Sequence, residues 1–345
     1  MRKLATIQTI KEILQIEGAD AIEIAVVNGW SVVVAKNAHH KVGDKVVYCE
    51  IDSFLPIEPE FEFLRKSSYK KLSDGTEGFR LRTIKLRGQI SQGLIISLLD
   101  AKKIAQRNLN IDDQDWLEGE DVSGKLGIIK YEPPVPASLQ GIAKGLFPSF
   151  IPKTDEERIQ NLSETYFTFK ENPVPYYVTE KLDGSSATYY YRNGEFGVCS
   201  RNLELIETDD NTFWKVARIL DLENKLKSLN FNVSLQGELV GEGIQGNPYK
   251  ILGQKVFFFN VYNIDEGHYL DFDRFMEIID SLELSTVPVL ETNFKLPDTI
   301  EEILSYSENK SSLNKSFDRE GVVIRSVDRK ISFKAISNRF LLNEK

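Results

Sequence analysis

Five prolines lie between Pro133 and Pro152, near the middle of the chain, and they limit how it can be divided into folded parts. Proline fixes its own backbone angle, removes a hydrogen-bond donor and restricts the residue before it, so this stretch is predicted to be an extended linker. At 345 residues the chain is long enough for two domains. The sequence therefore predicts one domain over residues 1–125, a proline-rich linker over 126–150 and a second domain over 151–345.

The first domain is predicted to be a small β-barrel. Stretches of β-branched or alternating residues are separated by short polar turns, which is the pattern of half-buried strands. About five such strands in a hundred residues are typical of a closed barrel of the OB type, with an SH3-like barrel as the alternative that the pattern cannot separate. The predicted strands are Ile22–Val27, Trp30–Ala35, Lys45–Ile51, Phe79–Leu86 and Gly93–Leu98.

A basic stripe crosses this domain, although the whole chain has a net charge of −9. Phosphate backbones bind such local cationic surfaces, and Tyr69 and Phe79 could add a stacking surface. Arg80 and Arg82 are expected to share one strand face. The alternative is a solvated loop beside one polar strand face. The residues predicted to bind nucleic acid are Arg65, Lys66, Lys70, Lys71, Arg80, Arg82, Lys85 and Arg87.

The second domain is predicted to combine antiparallel strands with flanking helices, which makes the overall fold class α+β. A capping box, Thr154 with Glu157, predicts that the domain opens with a helix. The Asn193-Gly194 pair predicts a two-residue hairpin turn. Amphipathic helices are predicted over residues 212–229 and 271–284, the second with Asp271 as its cap.

Charged residues at predicted strand ends are the candidate functional site of this domain. A lysine, Lys181, follows a predicted strand and stands between Glu180 and Asp183, which is an unusual position for a solvent-seeking side chain. Basic and acidic side chains that converge at strand ends suit an anionic phosphate ligand and a divalent cation. Each residue alone could equally be an ordinary surface charge. The convergent set is Lys181, Asp183, Arg201, Glu238, Glu320 and Lys334.

The order of these pieces resembles the covalent nucleotidyltransferase superfamily of ATP-dependent RNA and DNA ligases and mRNA capping enzymes. The finer match is to the fifth RNA ligase family, in which an OB domain precedes the nucleotidyltransferase domain. Residues 81–94 and 332–342 are similar to that branch. The six matching segments are Lys181-Leu182-Asp183-Gly184, Ser200-Arg201-Asn202, Gln236-Gly237-Glu238, Phe257 to Asn260, Glu320 to Ile324 and Ser332-Phe333-Lys334.

The resemblance implies an ATP-dependent RNA ligase with an ATP-grasp-like adenylyltransferase domain. It would seal breaks between a 3′-hydroxyl and a 5′-phosphate, in particular nicks in duplex RNA, through lysyl-AMP and adenylylated RNA. Lys181 would be the nucleophile, with Arg201 holding the ribose or RNA end and Lys334 the phosphate. The expected ATP-binding residues are Glu180, Lys181, Arg201, Glu238, Phe259 and Lys334. The expected ligands of Mg²⁺ or Mn²⁺, direct or through water, are Asp183, Glu238 and Glu320.

Two departures from the family pattern and two alternatives remain. Many relatives carry a second lysine two residues after the one matched by Lys334, where this chain has Ile336, and aspartate is common where Asn260 stands. Eleven residues follow Lys334, too few for the C-terminal domain of DNA ligases and capping enzymes. The alternatives are an ATP-dependent DNA ligase and a non-catalytic OB protein that binds nucleic acid.

Composition narrows the remaining classes of protein. Two cysteines and three scattered histidines provide neither a disulfide framework nor a histidine-based metal site. The sequence has no run of 18 apolar residues and no apolar segment at its N-terminus, so neither a membrane span nor a secretion signal is predicted. The low cysteine content favours a cytoplasmic protein. The resemblance implies RNA, in particular a nicked duplex, as the partner, and we expect a monomer without an obligate protein partner.

Overall fold

The computed structural model describes residues 3–72, 74–109, 116–132 and 141–343. These residues form two compact units. The first contains residues 3–132, 159–164 and 341–343 of the described chain, and the second contains residues 141–158 and 165–340. Residues 133–140, within the predicted linker, lie outside the described residues. The boundaries predicted at residues 125 and 150 stay predictions.

The first unit is built from short strands in three sheets. One sheet has the order β10-β4-β1-β2-β3, the second β11-β5-β7-β6, and β8 and β9 form a hairpin. The strands are β1 Ala5–Gln15, β2 Ile22–Val27, β3 Trp30–Ala35, β4 Lys45–Cys49, β5 Ser53–Pro56, β6 Tyr69–Lys71, β7 Glu77–Arg80, β8 Thr83–Leu86, β9 Gln89–Gln92, β10 Leu94–Ser97 and β11 Ile129–Lys130. The helices are α1 Arg65–Ser68 and α2 Leu98–Leu109, with 3₁₀ turns at Lys36–Ala38, Pro59–Leu64 and Ile159–Leu162.

The long strand β1 holds the first sheet together. Its residues 5–9 pair with β4, and its residues 10–15 pair with β2. The register shifts between Ile10 and Glu12, and such an irregularity bends a strand. Because of this bend, the two halves of β1 can pair with different strands of a curved sheet. Sequence analysis did not identify this strand.

The prediction of one strand over Phe79–Leu86 was wrong. Glu77–Arg80 pairs with β5 and β6, whereas Thr83–Leu86 pairs only with β9. The alternating pattern runs through both pieces, and alternation reports which face is buried rather than which sheet a residue belongs to. The side chains of Phe79 and Leu81 are buried in the core with those of Ile7, Val47 and Phe61.

The second unit contains two antiparallel sheets. A seven-stranded sheet has the order β12-β16-β15-β14-β17-β18-β19, and a four-stranded sheet has the order β20-β13-β21-β22. The predicted hairpin turn is confirmed, because β14 and β15 pair across Asn193-Gly194. The strands are β12 Ala143–Leu146, β13 Tyr176–Lys181, β14 Ser185–Arg192, β15 Glu195–Cys199, β16 Leu203–Leu205, β17 Val233–Gly241, β18 Gln254–Asn263, β19 His268–Tyr269, β20 Val289–Phe294, β21 Gly321–Ser326 and β22 Ser332–Ile336.

Helices cover the seven-stranded sheet and form the main core with it. Phe213, Val216 and Leu226 from one pair of helices and Phe275 and Ile279 from another helix are buried against the sheet. The remaining helices of the chain are α3 Tyr166–Lys170, α4 Thr212–Ile219, α5 Leu222–Lys227, α6 Phe272–Ser281, α7 Ile300–Ser307 and α8 Asn338–Asn343. In the described parts of the chain, no helix combines the length and the apolar character that crossing a membrane requires.

Three helix predictions have different outcomes. Asp271 caps α6, because its side chain accepts a hydrogen bond from Arg274 N, as predicted. The single helix predicted over residues 212–229 was wrong, since Asp221 adopts a φ of 53° and separates α4 from α5. The helix predicted after Thr154 is absent as well, and the Thr154 hydroxyl instead lies 3.2 Å from that of Ser186.

Candidate active site

Lys181 is the last residue of β13, and its position follows from strand pairing. It lies opposite Gly321 on β21, which brings Glu320, the residue before that strand, beside it. The ammonium group donates a hydrogen bond of 2.6 Å to Glu320 Oε1, and the two side chains are 28% and 15% exposed. The lysine therefore sits in a half-buried ion pair rather than in solvent.

Glu238 reaches the same place from the other sheet. It lies opposite Ser186 on β14 and opposite Phe257 on β18. Gly184 allows this approach, because a Cβ at that position would lie 2.4 Å from Leu239 O and 2.9 Å from Glu238 Cγ. The glycine of the Lys181–Gly184 segment thus sets the spacing between the lysine and this carboxylate.

The charges at the site shift one another's protonation. Burial alone would lower the pKa of the Lys181 ammonium, but Glu320, Glu238 and Asp183 outweigh burial and raise the pKa above its usual value. Burial, together with Glu320 and Asp183, raises the pKa of Glu238 to about 8, against the opposing effect of Lys181 and Arg201. The Lys181 ammonium therefore lies among Glu320, Glu238 and Asp183, and Arg201 is a second positive charge that acts on Glu238.

This crowding of carboxylates fits a divalent cation. Carboxylate oxygens are the ligands that Mg²⁺ and Mn²⁺ take, and Mg²⁺ keeps several bound waters, so contacts need not all be direct. Among the residues that the structure describes, no three His, Cys, Asp or Glu side chains are grouped closely enough to hold a metal by themselves. That Asp183, Glu238 and Glu320 hold a metal ion, directly or through water, stays a prediction.

Glu180 occupies the opposite face of β13 from Lys181, since side chains alternate along a strand. It is 1% exposed, and its Oε2 accepts a 2.7 Å hydrogen bond from Ser312 N. The carboxylate thus holds the loop that leads to Glu320. An ATP contact of Glu180 stays a prediction.

Phe259 lies at an irregularity of the central strand. Asn260 pairs with Gln236 and Phe258 pairs with Gly237, so Phe259 is the extra residue of a β-bulge. Its half-buried ring lies 5.6 Å from the guanidinium carbon of Arg325. The bulge is a local feature that turns this aromatic side chain relative to its strand.

Residues 152–158 form an irregular segment, here called the strap, that contacts the predicted motif strands. Asp155 accepts a 2.6 Å hydrogen bond from Arg201, and the carbonyl of Glu157 accepts one of 2.8 Å from Lys334 N. The carbonyl of Pro152 accepts one of 2.7 Å from Gln236 Nε2. Arg201, predicted to hold the ribose or the RNA end, and Lys334, predicted to hold the phosphate, therefore both hydrogen-bond to one short segment.

Glu156 is the centre of the strap, and its side chain is 18% exposed. Its Oε1 accepts hydrogen bonds of 3.0 and 3.2 Å from Arg325, which is 2% exposed, and its Oε2 accepts one of 2.5 Å from Ser332. Arg325 also donates to Thr179 Oγ1 at 3.2 Å. Thr179 and Ser332 each precede a site lysine, Lys181 and Lys334, by two residues on the same strand face.

The strap also borders a cavity of about 180 Å³. Arg329 closes one side and donates a 2.6 Å hydrogen bond to Asn260 Oδ1. Burial, and then the neighbouring Arg325, lower the pKa of the Arg329 guanidinium. Sequence analysis missed Glu156, Arg325 and Arg329. An available signal was Arg325 itself, because an arginine that ends an apolar run such as residues 321–324 needs a buried counter-charge.

The structure divides the predicted basic stripe of the first unit into two groups. Arg65 pairs with Glu62 at 2.6 Å and Lys71 with Glu77 at 3.1 Å. β7 ends at Arg80, so Arg82 lies outside that strand, and Arg80 is 7% exposed and lies 4.3 Å from the centre of the Tyr131 ring. Nucleic-acid binding by Arg80 and Arg82 stays a prediction. Phe79 is fully buried and offers no stacking surface. Within the predicted stripe, the exposed lysines and arginines that form no ion pair with another described residue are Lys66, Lys70, Lys85 and Arg87.

Two family models match the chain, one for each unit. An OB-fold domain matches residues 4–98, and an RNA ligase domain matches residues 174–340. The first match confirms the OB type of barrel over the SH3-like alternative. No match to a curated protein sequence was found.

Solved structures of an RNA ligase from Naegleria gruberi resemble the whole chain. A variant with AMP and manganese is 42% identical with a TM-score of 0.90, and the match covers 99% of both chains. A variant with ATP and manganese is 41% identical with the same TM-score and coverage. The form with pyrophosphate is 42% identical with a TM-score of 0.88, over 99% of this chain and 98% of that one.

Proposed function

Since the chain belongs to the RNA ligase family, as its ordered motifs predicted, we propose that it seals nicks in duplex RNA with ATP. The observation that carries the proposal is the Lys181–Glu320 ion pair beside Glu238. It presents one amine within a carboxylate cluster suited to a divalent cation. The enzyme is an ATP-dependent RNA ligase; the nick and the intermediates are the proposed part.

In the proposed first step, the neutral Lys181 amine attacks the α-phosphorus of ATP. The P–N bond forms as the bond to pyrophosphate breaks, and the amine proton is released. An unperturbed lysine requires roughly 4–5 kcal/mol to present its neutral form at neutral pH, and here the surrounding carboxylates raise the pKa further. Before metal and ATP bind, the Lys181 amine is therefore protonated and cannot act as a nucleophile.

Neutralising the charge of the carboxylates would favour the deprotonated Lys181 amine. A divalent cation held by Glu238, Glu320 and Asp183 would supply positive charge that lowers the pKa of Lys181 and offsets charge on the α-phosphate. Lys334 and Arg201, both held by the strap, would bind phosphate and ribose or the RNA end. Phe259 would stack on the adenine.

Two further steps complete the proposed reaction. AMP passes from Lys181 to the 5′-phosphate of the RNA, which regenerates the amine. The 3′-hydroxyl then attacks that phosphate, forms the phosphodiester and releases AMP. We assign these steps to the predicted domain 151–345 and RNA binding to the predicted domain 1–125.

The test is covalent labelling with α-labelled ATP and Mn²⁺ or Mg²⁺, followed by denaturing electrophoresis. Wild-type protein is expected to carry the label, and Lys181→Ala is expected to carry none, because the substitution removes the attacking nitrogen. Lys255→Ala, an exposed lysine of β18 in the same unit, is the matched control and should label normally.

Sealing assays on nicked all-RNA, all-DNA and mixed duplexes then test the substrate. Sealing of the RNA nick with an intermediate of adenylylated RNA supports the proposal. Labelling of Lys181→Ala at the wild-type level, or sealing restricted to all-DNA nicks, would contradict it.

A further inference from the structure

The hairpin of β8 and β9, residues 83–92 and here called the hairpin arm, leaves large apolar side chains in water. Ile84 is 45% and Leu86 38% exposed. Arg87 and Gly88 close the hairpin with φ angles of 50° and 83°, the left-handed backbone of a tight two-residue turn. Leu86 pairs with Gln89, so these two side chains and Ile84 share one face.

The base of the arm is fixed to the rest of the unit. Ser91 Oγ accepts a 2.9 Å hydrogen bond from Val33 N, and Gln92 O accepts one of 3.1 Å from the Tyr48 hydroxyl. Gln92 Nε2 donates to Thr83 Oγ1 at 3.3 Å. Thr83, Ser91 and Gln92 are buried. The arm is therefore anchored at its base and exposed at its tip, and it needs no ordering on binding.

The charge of the arm differs from that of the chain. Residues 80–92 contain four basic and no acidic residues, whereas the whole chain has a net charge of −9. Within the described residues, Lys85 and Arg87 form no ion pair, whereas Arg65 and Lys71 are each paired with a glutamate. Cations without a counter-charge beside exposed apolar side chains suit a partner that offers both phosphates and less polar sugar surfaces.

We infer that the hairpin arm binds the backbone of an RNA duplex along its minor groove, an inference that rests on the proposed function. A-form RNA has a wide, shallow minor groove that displays ribose 2′-hydroxyls, and proteins contact it through these hydroxyls and the flanking phosphates. Ile84 and Leu86 contact riboses, Lys85 and Arg87 contact phosphates, and the Gln89 amide can hydrogen-bond a 2′-hydroxyl. A protein partner is the competing occupant.

The experiment measures affinity for a fluorescent nicked RNA duplex and for its DNA counterpart, without ATP. Ile84→Ser with Leu86→Ser, and separately Lys85→Ala with Arg87→Ala, are each expected to weaken RNA binding about tenfold or more. Wild type is expected to prefer the RNA duplex, and both double variants to lose most of that preference. Leu117→Ser, 68% exposed in the same unit, and Lys41→Ala with Lys45→Ala are the matched controls and should bind as wild type does.

Formation of lysyl-AMP without nucleic acid reports on folding and on the proposed function separately. It should stay at the wild-type level in every arm variant. Unchanged RNA affinity in both arm variants, equal wild-type affinity for the DNA duplex, or a change in self-association alone would overturn the inference. Failure of wild type to form lysyl-AMP, with RNA binding still dependent on the arm, would overturn the proposed function and leave the arm standing.

Discussion

Lys181 shows how one residue type changes its chemistry with its surroundings. Lys255 is exposed to solvent, whereas Lys181 is half-buried and donates a hydrogen bond of 2.6 Å to Glu320. Burial and the neighbouring carboxylates act on its pKa in opposite directions, and the carboxylates dominate. We therefore expect the reactivity of the amine to depend on what neutralises Glu320 and Glu238.

The raised pKa of Glu238 predicts how stability depends on pH in the absence of metal. The folded carboxyl has a pKa of about 8 against 4.5 in the unfolded chain. Between these values the folded protein keeps a proton that the unfolded chain releases, so this stabilisation is complete below pH 4.5 and is lost as the pH rises through 8. Lys181 adds no slope in this window, because its pKa is raised above 10.5.

Urea unfolding at several pH values with a chelator present measures this dependence. The unfolding free energy of wild type should fall between pH 6 and 8, by at most about 1.4 kcal/mol per pH unit. Glu238→Gln, which cannot titrate, should show a flatter profile over that range. Parallel profiles for the two proteins would show that Glu238 does not hold the proton.

Replacing Gly184 should disturb the geometry of the site without changing its charge. Gly184→Ala forces a Cβ to within 2.9 Å of Glu238 Cγ, so the carboxylate or the lysine segment must shift. Because displacements near 1 Å at a reacting centre cost about 100-fold, the rate of lysyl-AMP formation should fall about 10- to 100-fold. Gly145→Ala, where a Cβ would meet nothing within 4 Å, is the control for the rate measurement. Equal rates for both variants would contradict this role of Gly184.

At the scale of elements, two adjacent residues of the strap, Asp155 and Glu156, should contribute very differently to stability. Glu156 neutralises Arg325, which is 2% exposed, whereas its neighbour Asp155 pairs with Arg201 at the surface, where the two side chains are 55% and 48% exposed. Removing one partner of a buried pair costs about 3–5 kcal/mol, and removing one partner of an exposed pair costs at most about 1 kcal/mol.

Equilibrium unfolding of Glu156→Gln and Asp155→Asn tests this contrast. Glu156→Gln should lose about 3–5 kcal/mol of unfolding free energy, and Asp155→Asn at most about 1 kcal/mol. Glu156→Asp should recover part of the loss, because it restores the charge. Similar losses of unfolding free energy for Glu156→Gln and Asp155→Asn would contradict the larger contribution that we assign to the Glu156–Arg325 pair.

The strands of the second unit could be predicted from the sequence better than the segments that connect them. The motif strands carrying Lys181, Glu238 and Lys334 could be predicted, because hydrophobic pattern and motif order are local properties. The strap could not, since its Thr154 and Glu157 have the pattern of a helix cap, whereas its partners, such as Arg325 for Glu156, are far away in the sequence. The role of Glu180 was likewise hidden, because its partner, Ser312 N, is 132 residues away.

For the whole molecule, the uneven charge predicts two different responses to salt. The predicted adenylylation site is half-buried, whereas Lys66, Lys70, Lys85 and Arg87 are exposed cations in a chain of net charge −9. If these four contact phosphates, RNA affinity should fall roughly 100-fold between about 50 and 200 mM salt, with lysyl-AMP formation changing far less.

Binding and labelling titrations over the same salt range check this prediction. Replacing all four cations with alanine should flatten the salt dependence of RNA binding without altering that of labelling. Equal salt slopes for wild type and the quadruple variant would place the RNA-binding charge elsewhere in the chain.

The assignment of residues 159–164 to the first unit has a consequence for how such a chain can be cut or recombined. Asn161 accepts a hydrogen bond from Trp30 and donates one to Glu50, a buried carboxylate. A fragment that stopped at the prolines would lack Asn161 and leave both groups without that partner. The unit that contains the OB fold is therefore built from more than one segment of the chain. A recombination that transferred this unit intact would have to carry residues 159–164 along with the N-terminal segment.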